Sequence, residues 1–127
     1  MIAFSKGSDI YVIPAGGGAP VPVTTDPGFD AHPSFSPDGT MIAFLSDRGG
    51  SNDIWVIPTA GGAATQLTSD PAQQGFPTWS PDGRFIIYQH SDMMATNIEL
   101  IEKLKIKKTN TIFFIIQNKM KGFINYN

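Results

Sequence analysis

The sequence predicts an all-β fold made of repeated four-stranded antiparallel sheets, and three observations support this prediction. A twelve-residue segment that begins at Pro33 returns at Pro77, 44 residues later, with the same order of proline, aromatic and apolar residues. A short apolar segment that begins at Asp9 returns at Asp53 and again at Asn97, each time after 44 residues. Runs of β-branched and aromatic residues bounded by Gly, Pro and Asp are typical of short antiparallel strands.

In two of the units, a Ser-Pro-Asp-Gly turn joins the first strand to the second, whereas the first unit begins at its second strand, Ile2-Ala3-Phe4. Pro37 fixes φ at the first central position, Asp38 suits the second, and Gly39 accepts the left-handed conformation that closes a hairpin with a bulge. Because the aspartates recur in this turn chemistry, we interpret them as structural and not as catalytic carboxylates. The turn residues are Ser36, Pro37, Asp38, Gly39, Ser80, Pro81, Asp82 and Gly83.

The remaining strands follow in order along the unit. Residues 40–45 and residues 53–57 are predicted as the second and third strands, because β-branched and aromatic residues dominate both segments. A glycine turn at residues 60–62 then leads to a fourth, short strand at residues 65–68. The unit therefore contains four strands.

A four-stranded unit repeated every 44 residues is the signature of a β-propeller blade. A lone blade cannot bury both faces of its sheet, so blades stack around an axis. Residues 1–101 are predicted to form about two and a half antiparallel blades, with boundaries near residues 33 and 77. Propellers close with about 4–8 blades. We therefore expect this partial β-propeller to be a fragment of a larger ring, or one partner of an assembly that completes a ring.

The motifs of the unit resemble one known family. They are the Ser-Pro-Asp-Gly turns that follow Phe35 and Trp79, the Ile-Ala-Phe strand at residues 42–44, and the loop at residues 46–50 that leads to Asp-Ile-Trp at residues 53–55. This pattern resembles the TolB-like, WD-like β-propeller repeat family, which also forms the propellers of tricorn-type and prolyl-oligopeptidase-type peptidases.

The resemblance covers residues 2–101 and carries functional expectations. It implies a non-catalytic protein-interaction or scaffold module, with a location in the bacterial periplasm, although residues 1–7 show no signal-peptide pattern. The alternative is an accessory propeller that gates substrate into a serine peptidase whose catalytic domain is absent from this chain. A degenerate gene product without function is a third possibility.

The charge of the chain argues against some partners. The net charge of −2 gives no protein-wide electrostatic attraction to nucleic acid, and no apolar run reaches the roughly 20 residues of a membrane-spanning helix. This small net charge is the sum of two unlike segments, because residues 1–101 carry −7 and residues 102–127 carry +5. We expect a protein partner, or self-association through open sheet edges.

Residues 102–127 form a divergent basic tail rich in Lys, Ile and Asn, where the repeat stops. Its bias suggests a different coding origin, such as a frameshift, a fusion or read-through. Apolar and charged residues alternate up to Ile106, so foreign strands that complete the last blade are one expectation. Disorder, or a basic amphipathic segment that contacts nucleic acid or membrane, are the alternatives.

The sequence shows no catalytic constellation and predicts no cofactor. His32 and His90 are the two histidines, and the copy of His32 is Phe76, which favours packing over proton transfer. A Gly-x-Ser-x-Gly nucleophile motif does not occur. The oxygen-rich segment at residues 47–53 lacks the spacing of an EF-hand loop, so we predict no metal site. The repeated aromatic residues are expected in the core between blades.

The loops at one end of the blades are the predicted partner-binding surface. In a four-stranded meander, the tight Ser-Pro-Asp-Gly and Ala-Gly-Gly turns lie at one end and the longer polar loops at the other. Loops on a rigid scaffold commonly carry recognition. The candidate binding residues are Arg48, Asn52, Asp53, Gln73 and Gln74.

Overall fold

The computed structural model of the chain describes residues 1–69, 71–91 and 96–102. The predictions for the tail beyond residue 102 lie outside these residues. Ten strands and no helix occur in the described part of the chain. The strands are β1 (Ile2–Lys6), β2 (Asp9–Ile13), β3 (Val21–Pro22), β4 (Asp30–Phe35), β5 (Met41–Ser46), β6 (Asp53–Pro58), β7 (Thr65–Gln66), β8 (Gln73–Trp79), β9 (Phe85–Ser91) and β10 (Thr96–Glu102).

The strands form three antiparallel sheets, which we call blade 1 (β1-β2-β3), blade 2 (β4-β5-β6-β7) and blade 3 (β8-β9-β10). Blade 2 shows the complete order of four strands that the repeat predicts. Blade 2 contacts blade 1 through β4, which lies against β1 and β2, and it contacts blade 3 through β4, β5 and β6, which all lie against β8. The prediction of an all-β, partial propeller is confirmed.

The fourth strand of blade 2 is shorter than predicted and ends at Gln66. Beyond it, the backbone N–H of Leu67 still donates to the carbonyl of Ile54 at 2.8 Å. The N–H of Ile54, however, donates to the side-chain hydroxyl of Thr68 at 2.8 Å. A side chain therefore takes the place of a backbone acceptor, and the regular ladder stops.

Both Ser-Pro-Asp-Gly turns adopt the predicted geometry. In the first turn, the N–H of Gly39 donates to the carbonyl of Ser36 at 2.8 Å, and Gly39 has a φ of +71°. The Ser36 hydroxyl donates to Asp38 at 2.6 Å and accepts the N–H of Met41 at 3.0 Å. The same contacts recur at Ser80 and Asp82 in the second turn. Each aspartate thus closes its turn, as predicted.

The first strands of blades 2 and 3 each contain a β-bulge at the same repeat position. The register of β4 shifts between Ala31 and Ser34, and that of β8 shifts between Gly75 and Thr78. His32 and Phe76 lie in these bulges with φ of +54° and +51°, and they are the non-glycine residues with positive φ in the described chain. Two extra residues therefore project from the inner strands.

Two apolar clusters fill the spaces between the blades. Ile10 and Val12 of blade 1 pack with Ile42, Phe44 and Ile57 of blade 2. The second cluster joins blades 2 and 3 and contains Ala43, Leu45, Ile54, Val56, Leu67, Trp79, Ile86, Tyr88 and Ile101. The repeated aromatic residues therefore belong to the core, as predicted, and Phe44 and Tyr88 are fully buried.

Candidate protein-binding surface

The longer connections lie at one end of the blades, which we call the loop face. The β3–β4 connection, the β5–β6 loop and the β7–β8 connection meet there, because antiparallel strands place alternate connections at the same end of a sheet. The opposite end carries the tight glycine turns. The five candidate binding residues all lie at this end of the blades, in the β5–β6 loop or in the first residues of β6 and β8.

Arg48, in the β5–β6 loop, ties this loop to the start of blade 2. Its guanidinium donates to Asp30 at 2.6 Å and to Asp26 at 2.9 Å, and its Nε donates to the Ser46 hydroxyl at 2.9 Å. The guanidinium carbon lies 5.3 Å from the ring centres of Phe44 and Trp55. The Arg48 side chain is only 10% exposed, so it shapes the loop more than it offers a contact to a partner.

Asp53 also supports the loop face from within. The carboxylate is fully buried and accepts hydrogen bonds from the side chains of Ser51, Gln66 and Thr68, at 2.7, 3.1 and 3.1 Å. Thr68 in turn accepts the N–H of Ile54. Because Asp53 is enclosed by these donors, it holds the base of the β5–β6 loop and is not at the surface.

Asn52 and Gln73 bridge two blades at the loop face. The Asn52 amide nitrogen donates to the Gln73 amide oxygen at 2.9 Å, which connects the β5–β6 loop with the start of β8. Gln73 is exposed and Asn52 is half-buried. These two predicted residues do come together in the structure.

Gln74, next to Gln73, points inward. It is 5% exposed, and neither polar atom of its side-chain amide has a hydrogen-bond partner in the described part of the chain. Its repeat position is that of Asp30, the buried partner of Arg48. The residue that matches Arg48 is Asp92, so blade 3 has replaced both members of this ion pair.

His32 and Phe76 form a pair of rings across the two inner strands. Their ring centres lie 4.3 Å apart with an angle of 41° between the ring planes. Both side chains are exposed, and Phe76 reaches 60%. The sequence predicted packing at this position. The structure shows that the two residues pack on each other at the surface, where the bulges turn them outward.

Phe29 adds a further exposed aromatic ring next to the start of β4. It is 51% exposed, and its backbone N–H donates to Asp47 of the β5–β6 loop at 2.7 Å. Protein–protein contact sites commonly combine aromatic rings with neighbouring polar groups. The exposure of the Phe29 and Phe76 side chains cannot be predicted from residue type alone, because it depends on the path of the backbone.

The titratable residues of the turns serve structure. The hydrogen bond from the Ser80 hydroxyl, followed by that from the Arg84 N–H, lowers the pKa of Asp82 below its usual value of 3.8. Among residues 1–69, 71–91 and 96–102, no three His, Asp or Glu side chains lie close enough together to hold a metal ion. The same ranges contain no helix of sufficient length and hydropathy to cross a membrane.

Antiparallel sheets packed face to face around their inner strands define a β-propeller protein. The chain belongs to the family of the tricorn protease N-terminal β-propeller domain, whose family model matches residues 1–124.

Curated proteins are similar to part of this chain. The Tol-Pal system protein TolB of Bordetella pertussis is 50% identical over 44 residues, which are 34% of this chain and 10% of that protein. The protein TolB homolog of Chlorobium luteolum is 44% identical over 50 residues, 39% of this chain and 12% of that protein. The matched segments of this chain therefore cover about a tenth of the length of these curated relatives.

Solved structures show the same fold. A putative TolB from Agrobacterium tumefaciens superposes with a TM-score of 0.68 at 26% identity, over 74% of this chain and 37% of that one. TolB from Acinetobacter baumannii gives a TM-score of 0.65 at 23% identity, over 74% of this chain and 24% of that one. The chain is thus similar to part of a TolB-like propeller.

Proposed function

We propose that this chain is a non-catalytic protein-interaction module, a part of a TolB-like propeller that binds a protein partner through the exposed rings in the bulges of β4 and β8 together with the loop face. The observation that carries the proposal is the exposed pair of His32 and Phe76. Phe76 is 60% exposed, and its ring packs against the ring of His32. A partner that binds to such a ring buries apolar area while the side chain loses little entropy.

The surroundings of the pair support this role. The hydrogen bond from Asn52 positions the exposed amide of Gln73 at the start of β8, and the Arg48 ion pairs tie the adjacent loop to Asp26 and Asp30. Contact sites combine a few aromatic anchors with a polar rim. A pre-formed surface of this kind loses little conformational freedom on binding.

The backbone at the pair adds a second argument. A left-handed φ at a non-glycine residue costs roughly 1–2 kcal/mol, and the chain accepts it at both His32 and Phe76. Strain of this kind concentrates at binding sites. The names of the relatives suggest the first partner to test, a component of the Tol-Pal system.

Isothermal titration calorimetry against each purified Tol-Pal component tests the proposal. We expect Phe76→Ala to weaken binding at least tenfold, because central aromatic residues commonly contribute 2 kcal/mol or more. His32→Phe should retain the affinity, since it keeps a stacked ring. Val21→Ala is the matched control, because Val21 is also exposed but lies on the outer strand β3. If Phe76→Ala binds as tightly as Val21→Ala, the pair is not the binding site.

A gating role in a peptidase is the second candidate, and the family match to a tricorn protease propeller favours it. A gating propeller would bind extended polypeptide instead of a folded protein. Titration of the chain with casein, an unstructured substrate, separates the two roles. Binding of casein together with no binding of the Tol-Pal components would support gating and would overturn the interaction module.

A further inference from the structure

The aromatic ring of Phe29 lies beside the β5–β6 loop at the loop face. Phe29 is 51% exposed and directly precedes β4. Its backbone N–H donates to the carboxylate of Asp47 at 2.7 Å, and its carbonyl accepts the N–H of Asp47 at 3.4 Å. A Cβ on Gly28 would come within 3.2 Å of the same carboxylate oxygen. The backbone that carries the exposed ring is therefore held next to a negative charge.

The charges around this ring do not balance. Arg48 binds two carboxylates, Asp30 at 2.6 Å and Asp26 at 2.9 Å. Asp47 is exposed and adds a third carboxylate. Three carboxylates and one guanidinium leave a formal charge of −2 beside an apolar ring. We call the exposed members of this group, which are Phe29, Asp26 and Asp47, the cation patch.

The burial of Asp30 shows that part of this charge is not neutralised. Its Oδ2 accepts from Arg48, but its Oδ1 is buried and has no hydrogen-bond partner in the described part of the chain. A buried charge is screened less than an exposed one. Lys6 is the other basic residue of the described chain at the loop face, and its Nζ lies over the ring of Tyr11, 5.6 Å from the ring centre. The cation patch therefore attracts positive charge from outside.

The patch belongs to blade 2 and not to the repeat. The residues that match Phe29 and Asp47 in blade 3 are Gln73 and Ser91, whereas the Ser-Pro-Asp-Gly turn is the same in both blades. The blade fold itself therefore requires neither an aromatic ring nor a carboxylate at these two positions.

We propose that the protein partner contacts the cation patch with a lysine or arginine side chain from a basic segment. The cation lies over the ring of Phe29, whose face is negative, and pairs with the carboxylate of Asp47. Charge complementarity of this kind selects a basic segment and repels an acidic one. The inference rests on the proposed function, because it names the chemistry of the partner at the loop face.

NMR titration of the complete ¹⁵N-labelled chain with a basic peptide tests the proposal. The probe is a peptide of about ten alternating lysine and glycine residues, and the same peptide with glutamine in place of lysine is the neutral control. We expect the lysine peptide to shift the amide signal of Phe29, because this N–H donates to Asp47. Its affinity should fall as sodium chloride is raised from about 20 to about 200 mM, since salt screens exposed charges.

Two variants assign the binding to the cation patch. Asp47→Asn keeps an oxygen for the N–H of Phe29 and removes the charge, and we expect about two- to fivefold weaker binding. Phe29→Ala removes the ring and should weaken binding by a similar factor. Asp38→Asn is the matched control, because it removes one exposed charge at the opposite end of the blade and should leave the affinity unchanged. Circular dichroism checks that each variant keeps its β structure.

Three results of the titrations would overturn the proposal. They are the absence of a shift with the lysine peptide, equal binding of the glutamine peptide, and a loss in Asp38→Asn as large as that in Asp47→Asn. The proposed function fails on a separate measurement, the calorimetry of Phe76→Ala. If a Tol-Pal component binds through Phe76 and Asp47→Asn leaves that affinity unchanged, the proposed function stands and this inference is wrong.

Discussion

The guanidinium of Arg48 and the carboxylate of Asp30 form a 2.6 Å ion pair in which Asp30 is fully buried. The pair joins the β5–β6 loop to the first strand of the same blade, and Asp26 extends it to the preceding connection. This buried ion pair between Arg48 and Asp30 therefore stabilises the conformation of the β5–β6 loop at the loop face.

Removal of the arginine leaves the Asp30 charge buried without its partner. We predict that Arg48→Met lowers the free energy of unfolding by about 3–5 kcal/mol, the usual cost of breaking a buried ion pair from one side. Urea denaturation followed by circular dichroism measures this loss. Lys6→Met is the control, because Lys6 is exposed and lies in β1, and we expect it to change stability by less than about 0.5 kcal/mol.

The ion pair can also be removed as a unit. We predict that the double variant Asp30→Asn with Arg48→Met loses less stability than the sum of the two single variants, with a coupling of about 0.5–3 kcal/mol. Blade 3 shows a related change, since Gln74 and Asp92 occupy these positions. Additive losses in the cycle would show that the two residues act separately.

The second Ser-Pro-Asp-Gly turn should be sensitive to acid through Asp82. Its pKa lies below 3.8 because the Ser80 hydroxyl and the Arg84 N–H donate to the charged carboxylate. Since the folded-state pKa is the lower one, the stabilisation is complete above the unfolded-state pKa near 3.8 and is lost as pH falls through the folded-state pKa. Asp82→Asn should therefore flatten the fall in stability below pH 3.8.

NMR titration of the Asp82 carboxyl carbon measures the pKa directly, and urea denaturation from pH 2 to pH 6 measures the stability. The matched control is Asp9→Asn, because Asp9 is half-buried at the start of β2 and lies outside the turns. A folded-state pKa at or above 3.8 would contradict the prediction.

A polar pair lies inside the interface between blades 2 and 3. The Tyr88 hydroxyl donates to Glu99 at 2.9 Å, and Glu99 is 2% exposed. We predict that Tyr88→Phe lowers the free energy of unfolding by about 1–3 kcal/mol, because a buried acceptor loses a donor. Tyr11→Phe on half-buried Tyr11 should have a smaller effect. Thermal and urea unfolding of both variants compare the two losses, and equal losses would refute the prediction.

The strands and turns of the blades were predictable because they depend on local residues that recur. The Gly39 turn follows from the order Ser-Pro-Asp-Gly, and the strand at Asp53 follows from its apolar pattern. Three copies at a constant spacing made the architecture clear. The length of β7 was not predictable, because it depends on the hydroxyl of Thr68, which caps the ladder from outside the strand.

The placement of the candidate binding residues was harder to predict than the fold. Arg48 and Asp53 lie in or next to a polar loop, but their side chains turn inward to buried partners. Position in a loop does not determine this direction. The exposure of Phe76 was missed for the opposite reason, because an aromatic residue within a strand usually packs into a core and here a bulge turns it outward.

The bulges at His32 and Phe76 also limit how the inner strands can aggregate. Strands β4 and β8 each have a neighbour within their own sheet on one side only. A regular edge of this kind would be a template for uncontrolled strand addition. The extra residue in each bulge breaks the spacing of backbone donors and acceptors that an incoming strand would need. The two residues whose rings we propose as a partner contact therefore also protect the inner edges against amyloid-like growth.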